Sequence, residues 1–135
     1  MDKVSTEVVA LFAQIVDRYT KEYEQAAAAR DLTSIQAKVL AALDEPQPMH
    51  VIASKLGSER SNVTGIIDRL QARGLVERRP DERDRRVKYI VATEEGRRLA
   101  LEFRGALRFA AEPLAALGAA DRRQLRDLLR RMLGD

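Results

Sequence analysis

The chain is 135 residues long, 45% hydrophobic and 33% charged, with seven glycines, four prolines and no cysteine. That is one globular, helix-leaning domain, and it excludes disulfides, thiolate metal sites and thiol redox chemistry. The net charge of +3 is unevenly placed: residues 55–88 hold ten basic against six acidic side chains, the other 101 residues fourteen against fifteen. A local positive field of this kind suits a polyanion. No apolar run reaches the roughly 18 residues that a membrane span needs, and Asp2 and Glu7 are unlike a signal peptide, so a cytoplasmic protein is expected.

In chain order, Val4, Val8, Leu11, Phe12, Ile15, Tyr19 and Tyr23 recur at three- and four-residue steps and predict a long amphipathic helix over 4–29. Thr33 and Gln36 have capping-box spacing and open a second helix through Ile35, Val39, Leu40 and Leu43, which stops before the rigid turn Glu45-Pro46-Gln47-Pro48. A short helix with Val51, Ile52 and Leu56 ends at Gly57. Ser58 is placed to cap a longer helix, Glu59 to Arg73, whose apolar face is Val63, Ile66, Ile67 and Leu70; Gly74 ends it. Short helix, glycine turn, longer helix is the helix-turn-helix pattern.

The period then changes. Residues 75–79 and 87–91 read as strands around the polar loop 80–86, a β-hairpin that makes the motif a winged helix. Thr93, with Glu94 and Glu95 behind it, starts a helix carrying Leu99, Phe103, Leu107 and Ala110, and a last helix begins near Asp121 with Leu125, Leu128, Leu129 and Met132 on one face. The expected fold is mainly α, six helices with a small two-stranded wing. It is a single domain over 1–135: a winged helix-turn-helix DNA-binding lobe at 32–92, flanked by helical dimerisation regions at 3–29 and 93–135. The terminal helices carry more apolar surface than a small core can use, which points to a homodimer.

The polar side of the longer helix holds Arg60, Ser61, Asn62, Thr64, Gly65 and Arg69. These are small or basic residues able to approach base edges, and the N-terminal end of such a helix enters the major groove. In the loop, Arg83, Asp84, Arg85 and Arg86 belong to a run of three arginines and three acids within six positions. Asp84 can brace Arg86 so that its guanidinium points outward, a device suited to a narrow, negative minor groove. Both features also read as solvated surface, so composition and spacing leave two alternatives: a protein-interaction adaptor, or a non-specific DNA binder without effector response.

LTSIQAKVLAAL from Leu32, IASKLG, SNVTGIIDRLQARGLVERR, DERDRR and VATEEGRRLA follow one another in order. In that order and spacing the chain resembles the MarR (multiple antibiotic resistance regulator) family of winged-helix transcriptional regulators, closely over 32–101. The resemblance implies a repressor that binds double-stranded DNA at a pseudo-palindromic operator as a homodimer. It puts Ser61, Asn62, Thr64 and Arg69 in the major groove, Arg86 in the minor groove with Asp84 as its brace, and Arg83 and Arg85 on phosphates or in auxiliary wing roles. It also implies release by a small aromatic or phenolic effector, for which Tyr19, Tyr23 and His50 are the candidate pocket residues. Without cysteine, and with His50 as the one histidine, the family's redox- and metal-sensing branches do not apply, and no cofactor is expected. With no nucleophilic cysteine and no phosphate-binding glycine loop, the chain is not expected to be an enzyme.

Overall fold

The computed structural model describes residues 1–57 and 62–135. Among the described residues there are six helices and a three-stranded sheet: α1 Lys3–Ala28, α2 Ser34–Ala41, β1 Gln47–Pro48, α3 Met49–Leu56, α4 Val63–Ala72, β2 Val76–Pro80, β3 Lys88–Ala92, α5 Glu94–Ala106 and α6 Ala119–Leu133. This is a winged helix, with one strand more than the sequence pattern suggests. The expected capping of α4 by Ser58, and its first turn from Glu59, lie outside the described residues.

Local chemistry sets the helix starts. Thr33 Oγ1 accepts from the Gln36 amide at 3.2 Å, and the Gln36 side chain accepts from the Thr33 amide at 3.0 Å, so the capping box is complete. Thr93 caps α5 by accepting from the Gly96 amide at 3.1 Å, with Glu94 and Glu95 in the favourable first turn.

The sheet runs β1-β3-β2 and is antiparallel throughout, with Arg78 opposite Ile90 and Gln47 also opposite Ile90 on the far side. The extra strand is the second half of the proline turn. Pro48 is tolerated there because β1 is an edge strand, where a missing N–H breaks no ladder. The two wing strands each sit one residue later than their apolar runs suggest, since Pro80 pairs with Lys88 at the hairpin end.

Phe103, Leu40, Ile52, Ile67, Leu70 and Ile90 are among the largest fully buried side chains, drawn from α2, α3, α4, α5 and β3. The core therefore lies under the helix-turn-helix and the wing root. Arg104 fastens α5 to the end of α2 by donating to the Ala41 carbonyl and the Asp44 carboxylate. The outer parts of the long helices are different. Val4, Val8, Val9, Leu11, Ile15 and Val16 of α1 are exposed, as are Leu128, Met132 and Leu133, and α6 buries none of its residues. Among the described residues no helix is long and apolar enough to cross a membrane.

One expectation needs correction. Leu107 and Ala110 do not continue the face of α5, because the helix ends at Ala106 and Leu107 turns extended at φ −81°, ψ 127°. The reason is Glu22 of α1. Its carboxylate accepts from the backbone amides of Arg108, Phe109 and Ala110, the last two at 3.1 Å, taking donors that a longer helix would use. Arg18 lies over the Phe109 ring, 4.3 Å from its centre, and secures the same junction.

Burial acts to raise the Glu22 pKa, but the three amides and the nearby Arg18 outweigh it and hold the carboxyl below its ordinary 4.5. A depressed pKa contributes stability that is present above the ordinary value and lost as pH falls through the folded one. Glu22→Gln is therefore expected to lower the thermal midpoint at pH 7. The gap from wild type should narrow as pH falls from 7 through the lowered folded value, where the carboxyl becomes neutral like the glutamine amide. A gap of equal size across that range would mean that the charge of Glu22 plays no part.

Candidate nucleic-acid interface

α4 buries Val63, Ile66, Ile67 and Leu70, which fixes the opposite side outward. Asn62, Thr64 and Arg69 are exposed there, and Gly65 is half-exposed between them. A Cβ on Gly65 would stand 3.0 Å from Asn62 Oδ1 and 3.7 Å from Arg69 Nη1, so the absent side chain leaves these two polar groups close together. Asn62 occupies the N-cap position but its side chain makes no cap bond, leaving the amide available for other partners. Arg60 and Ser61 lie outside the described residues.

The wing loop is built by its own acids. Asp81 accepts from the Arg83 amide at 3.1 Å, and Asp84 from the Arg86 amide at 3.1 Å; backbone bonds from Asp81 to Val87 and from Val87 to Asp84 close the tip. Asp84 also grips the Arg86 guanidinium twice, Nε to Oδ1 at 3.1 Å and Nη2 to Oδ2 at 3.3 Å. That fork, with the Arg86 amide, holds the Asp84 carboxyl below the usual aspartate value. The Arg86 side chain nevertheless remains 91% exposed. It is thus aimed without being consumed. Arg83 and Arg85 are also exposed, and among the described residues neither guanidinium meets a carboxylate.

A second ion pair joins wing to helix. Arg78 of β2 donates to Asp68 of α4 at 2.6 Å and also to Gln71, tying the strand to the helix. The sequence places Arg78 in a strand and Asp68 on a polar helix face, but nothing local to either indicates that they meet.

Away from this face, Tyr19, Tyr23, Lys38, Val39, Ala42, Ile52, Lys55 and Leu56 line a cavity of about 300 Å³ between α1, α2 and α3. The Tyr19 and Tyr23 rings stack at 4.9 Å, and Tyr23 meets Phe103 edge-on at 5.3 Å. Burial, helped by the Tyr19 hydroxyl beside it, pushes Tyr23 up to about 12, so it is a neutral phenol at physiological pH. Lys38 stands 5.6 Å from the centre of the Tyr23 ring. His50 does not line this cavity; it is on the exposed side of α3. Lys38 and Lys55 take the polar role instead. Each is an ordinary helix-surface lysine by spacing, and only the packing of three helices brings both to one space.

The sequence profile of the MarR family matches residues 32–88. The repressor NicR of Pseudomonas putida, an HTH-type transcriptional repressor, is 32% identical over 133 residues, covering 96% of this chain and 84% of NicR. The chain belongs to the MarR family. Two solved structures agree over nearly the whole chain. CouR of Rhodococcus jostii RHA1, bound to p-coumaroyl-CoA, superposes with a TM-score of 0.77 at 27% identity, covering 98% of this chain and 95% of CouR. BpsR of Bordetella bronchiseptica, whose DNA binding is regulated by 6-hydroxynicotinic acid, gives 0.69 at 27% identity, covering 95% and 94%. MarR-family proteins are DNA-binding transcriptional regulators, not enzymes, and this member has the winged helix that such regulators use.

Proposed function

We propose that this MarR-family regulator is a homodimeric repressor that binds a pseudo-palindromic operator and is released by a small aromatic or phenolic effector. The observation that carries the DNA reading is Arg86, forked by Asp84 yet 91% exposed at the wing tip. An exposed arginine aimed in this way suits a narrow minor groove. α4 and its N-cap then present Asn62, Thr64, Gly65 and Arg69 to the major groove, while Arg83 and Arg85 meet phosphates; Arg60 and Ser61 are assigned to the same groove from the sequence alone.

In this reading residues 32–92 form the DNA-binding lobe, and 3–29 with 93–135 form the dimer. The bare apolar sides of α1 and α6 support it: burying such side chains against a second copy is worth about 1.5 kcal/mol or more each. The cavity at the junction supports the effector. Two stacked tyrosines offer a flat apolar slot and two lysines favour an acidic or phenolic group. CouR and BpsR, with their aromatic ligands, are of the same fold. In this reading the regulator acts on double-stranded DNA in the cytoplasm.

A gel-shift with the region upstream of its own gene tests this. Binding about a thousandfold tighter than to random duplex of equal length is expected at physiological salt. Equal affinity for both, even at low salt, would favour an adaptor or a non-specific binder.

A further inference from the structure

We propose that Arg73 is a positioning residue that struts the recognition helix α4 against the end of α1, and so sets the separation of the two reading surfaces in the dimer. The proposal rests on the dimer reading above. Arg73 is the C-cap of α4. Its Nη1 donates to the Asp31 carbonyl at 2.5 Å and its Nη2 to the Arg30 carbonyl at 3.5 Å, across 42 and 43 residues of chain. Both carbonyls belong to the turn just past α1, where helix-end oxygens lack intrahelical donors.

That turn is a firm abutment. Asp31 sits at φ 56°, a left-handed conformation that aspartate tolerates better than most residues. The amides of Arg30, Asp31 and Leu32 all bond back to Ala27 or Ala28. The Arg30 side chain donates to the Ala26 carbonyl at 2.9 Å and reaches toward Glu102 of α5 at 3.8 Å. Upstream, α1 is one unbroken helix whose exposed Val4, Val8, Leu11 and Ile15 face the proposed partner. Displacement of α1 at the dimer seam therefore arrives at Asp31, and Arg73 hands it to α4.

The other contacts of α4 are of a different kind: its apolar side seats the helix in the core, and Asp68 ties it to the wing. A planar guanidinium on two carbonyls fixes direction as well as distance, which a lysine ammonium does not. Arg73 is also about 16 Å along the helix from Asn62, at the end away from the groove-reading residues. Two of its five donors are held by these carbonyls, and the salt dependence of binding distinguishes a strut from a phosphate contact.

The experiment uses a duplex carrying the inverted repeat that the wild-type protein selects from random sequence, and the same duplex with one base pair added or removed between half-sites. Each change shifts the half-sites by about 3.4 Å and turns them about 35°, and wild type should lose at least about tenfold in affinity. Arg73→Gln should lose about tenfold at the native spacing, while its preference among spacings falls below about threefold. Arg73→Lys should fall between the two. The dimer and the salt dependence should be unchanged.

A full spacing preference in Arg73→Gln overturns the proposal. So does a drop of about one ion in its salt slope, which would make Arg73 a phosphate contact. If the glutamine variant does not fold, the lysine variant carries the same test, and an unchanged preference in it contradicts the strut. A monomeric wild-type protein that selects no inverted repeat overturns the dimer reading, and the strut with it.

Discussion

Replacing Gly96 with alanine is expected to lower the thermal midpoint by about 10 °C, a loss of roughly 2–3 kcal/mol, although alanine is the better helix former. Gly96 lies in the first turn of α5, and a Cβ there would stand 2.0 Å from the Leu75 carbonyl oxygen and 3.0 Å from its carbon. The obstacle is backbone and cannot rotate away. Leu75 cannot retreat easily either, because its carbonyl accepts from the Thr93 amide at 3.0 Å and Thr93 Oγ1 donates to the Gly74 carbonyl at 2.7 Å. These contacts weld the end of α4, the root of the wing and the start of α5 into one corner.

Opening that corner also tilts the wing, so DNA affinity should fall along with stability. Gly105→Ala, later in the same helix and with nothing within 4 Å of the new Cβ, is the control. It should leave the midpoint unchanged or raise it slightly. A Gly96→Ala protein as stable as Gly105→Ala would show that α5 is free to shift off Leu75.

Arg86→Ala should weaken operator binding by more than ~1 kcal/mol without disturbing the dimer. Asp84 sharpens the test. A carboxylate close to DNA phosphates is unfavourable in itself, so its value lies in holding Arg86 through Nε and Nη2. Asp84→Ala should therefore weaken binding in the wild-type background, where it frees the guanidinium to wander. In an Arg86→Ala background it should cost nothing, or tighten binding by removing a negative charge. Equal losses in both backgrounds would mean that Asp84 shapes the loop through its bond to the Arg86 amide instead. Unchanged affinity in Arg86→Ala would remove the wing-tip arginine from the interface.

What could be read in the sequence is what depends on near neighbours. The Thr33–Gln36 box, the Thr93 cap and the Asp84–Arg86 fork each join residues two or three apart, and all are formed. The apolar spacing of Val63, Ile66, Ile67 and Leu70 gives the side of α4 that is buried, and with it the side left for Asn62, Thr64 and Arg69.

What could not be read depends on distant partners. β1 is two residues long and is a strand solely because Ile90 and Tyr89 pair with it. α5 stops at Ala106 because Glu22, 86 residues before Arg108, takes the next amides. Periodicity carries Leu107 and Ala110 forward as helix because it contains no record of that carboxylate. The same holds for the cavity. Tyr19 and Tyr23 are one turn apart on α1 and easily paired by eye, whereas Lys38 and Lys55 come from two other helices, and His50, near in sequence to Lys55, turns away.

In the proposed arrangement, two copies of the chain present two α4 helices and two Arg86 wings to one inverted repeat. Titrating the selected repeat against an isolated half-site, with the complex mass measured in solution, tests it most directly. Two chains per repeat are expected, with half-site binding at least about a hundredfold weaker, since one lobe alone forgoes half the base and phosphate contacts. One chain per duplex, or equal affinity for repeat and half-site, would contradict a dimeric reader.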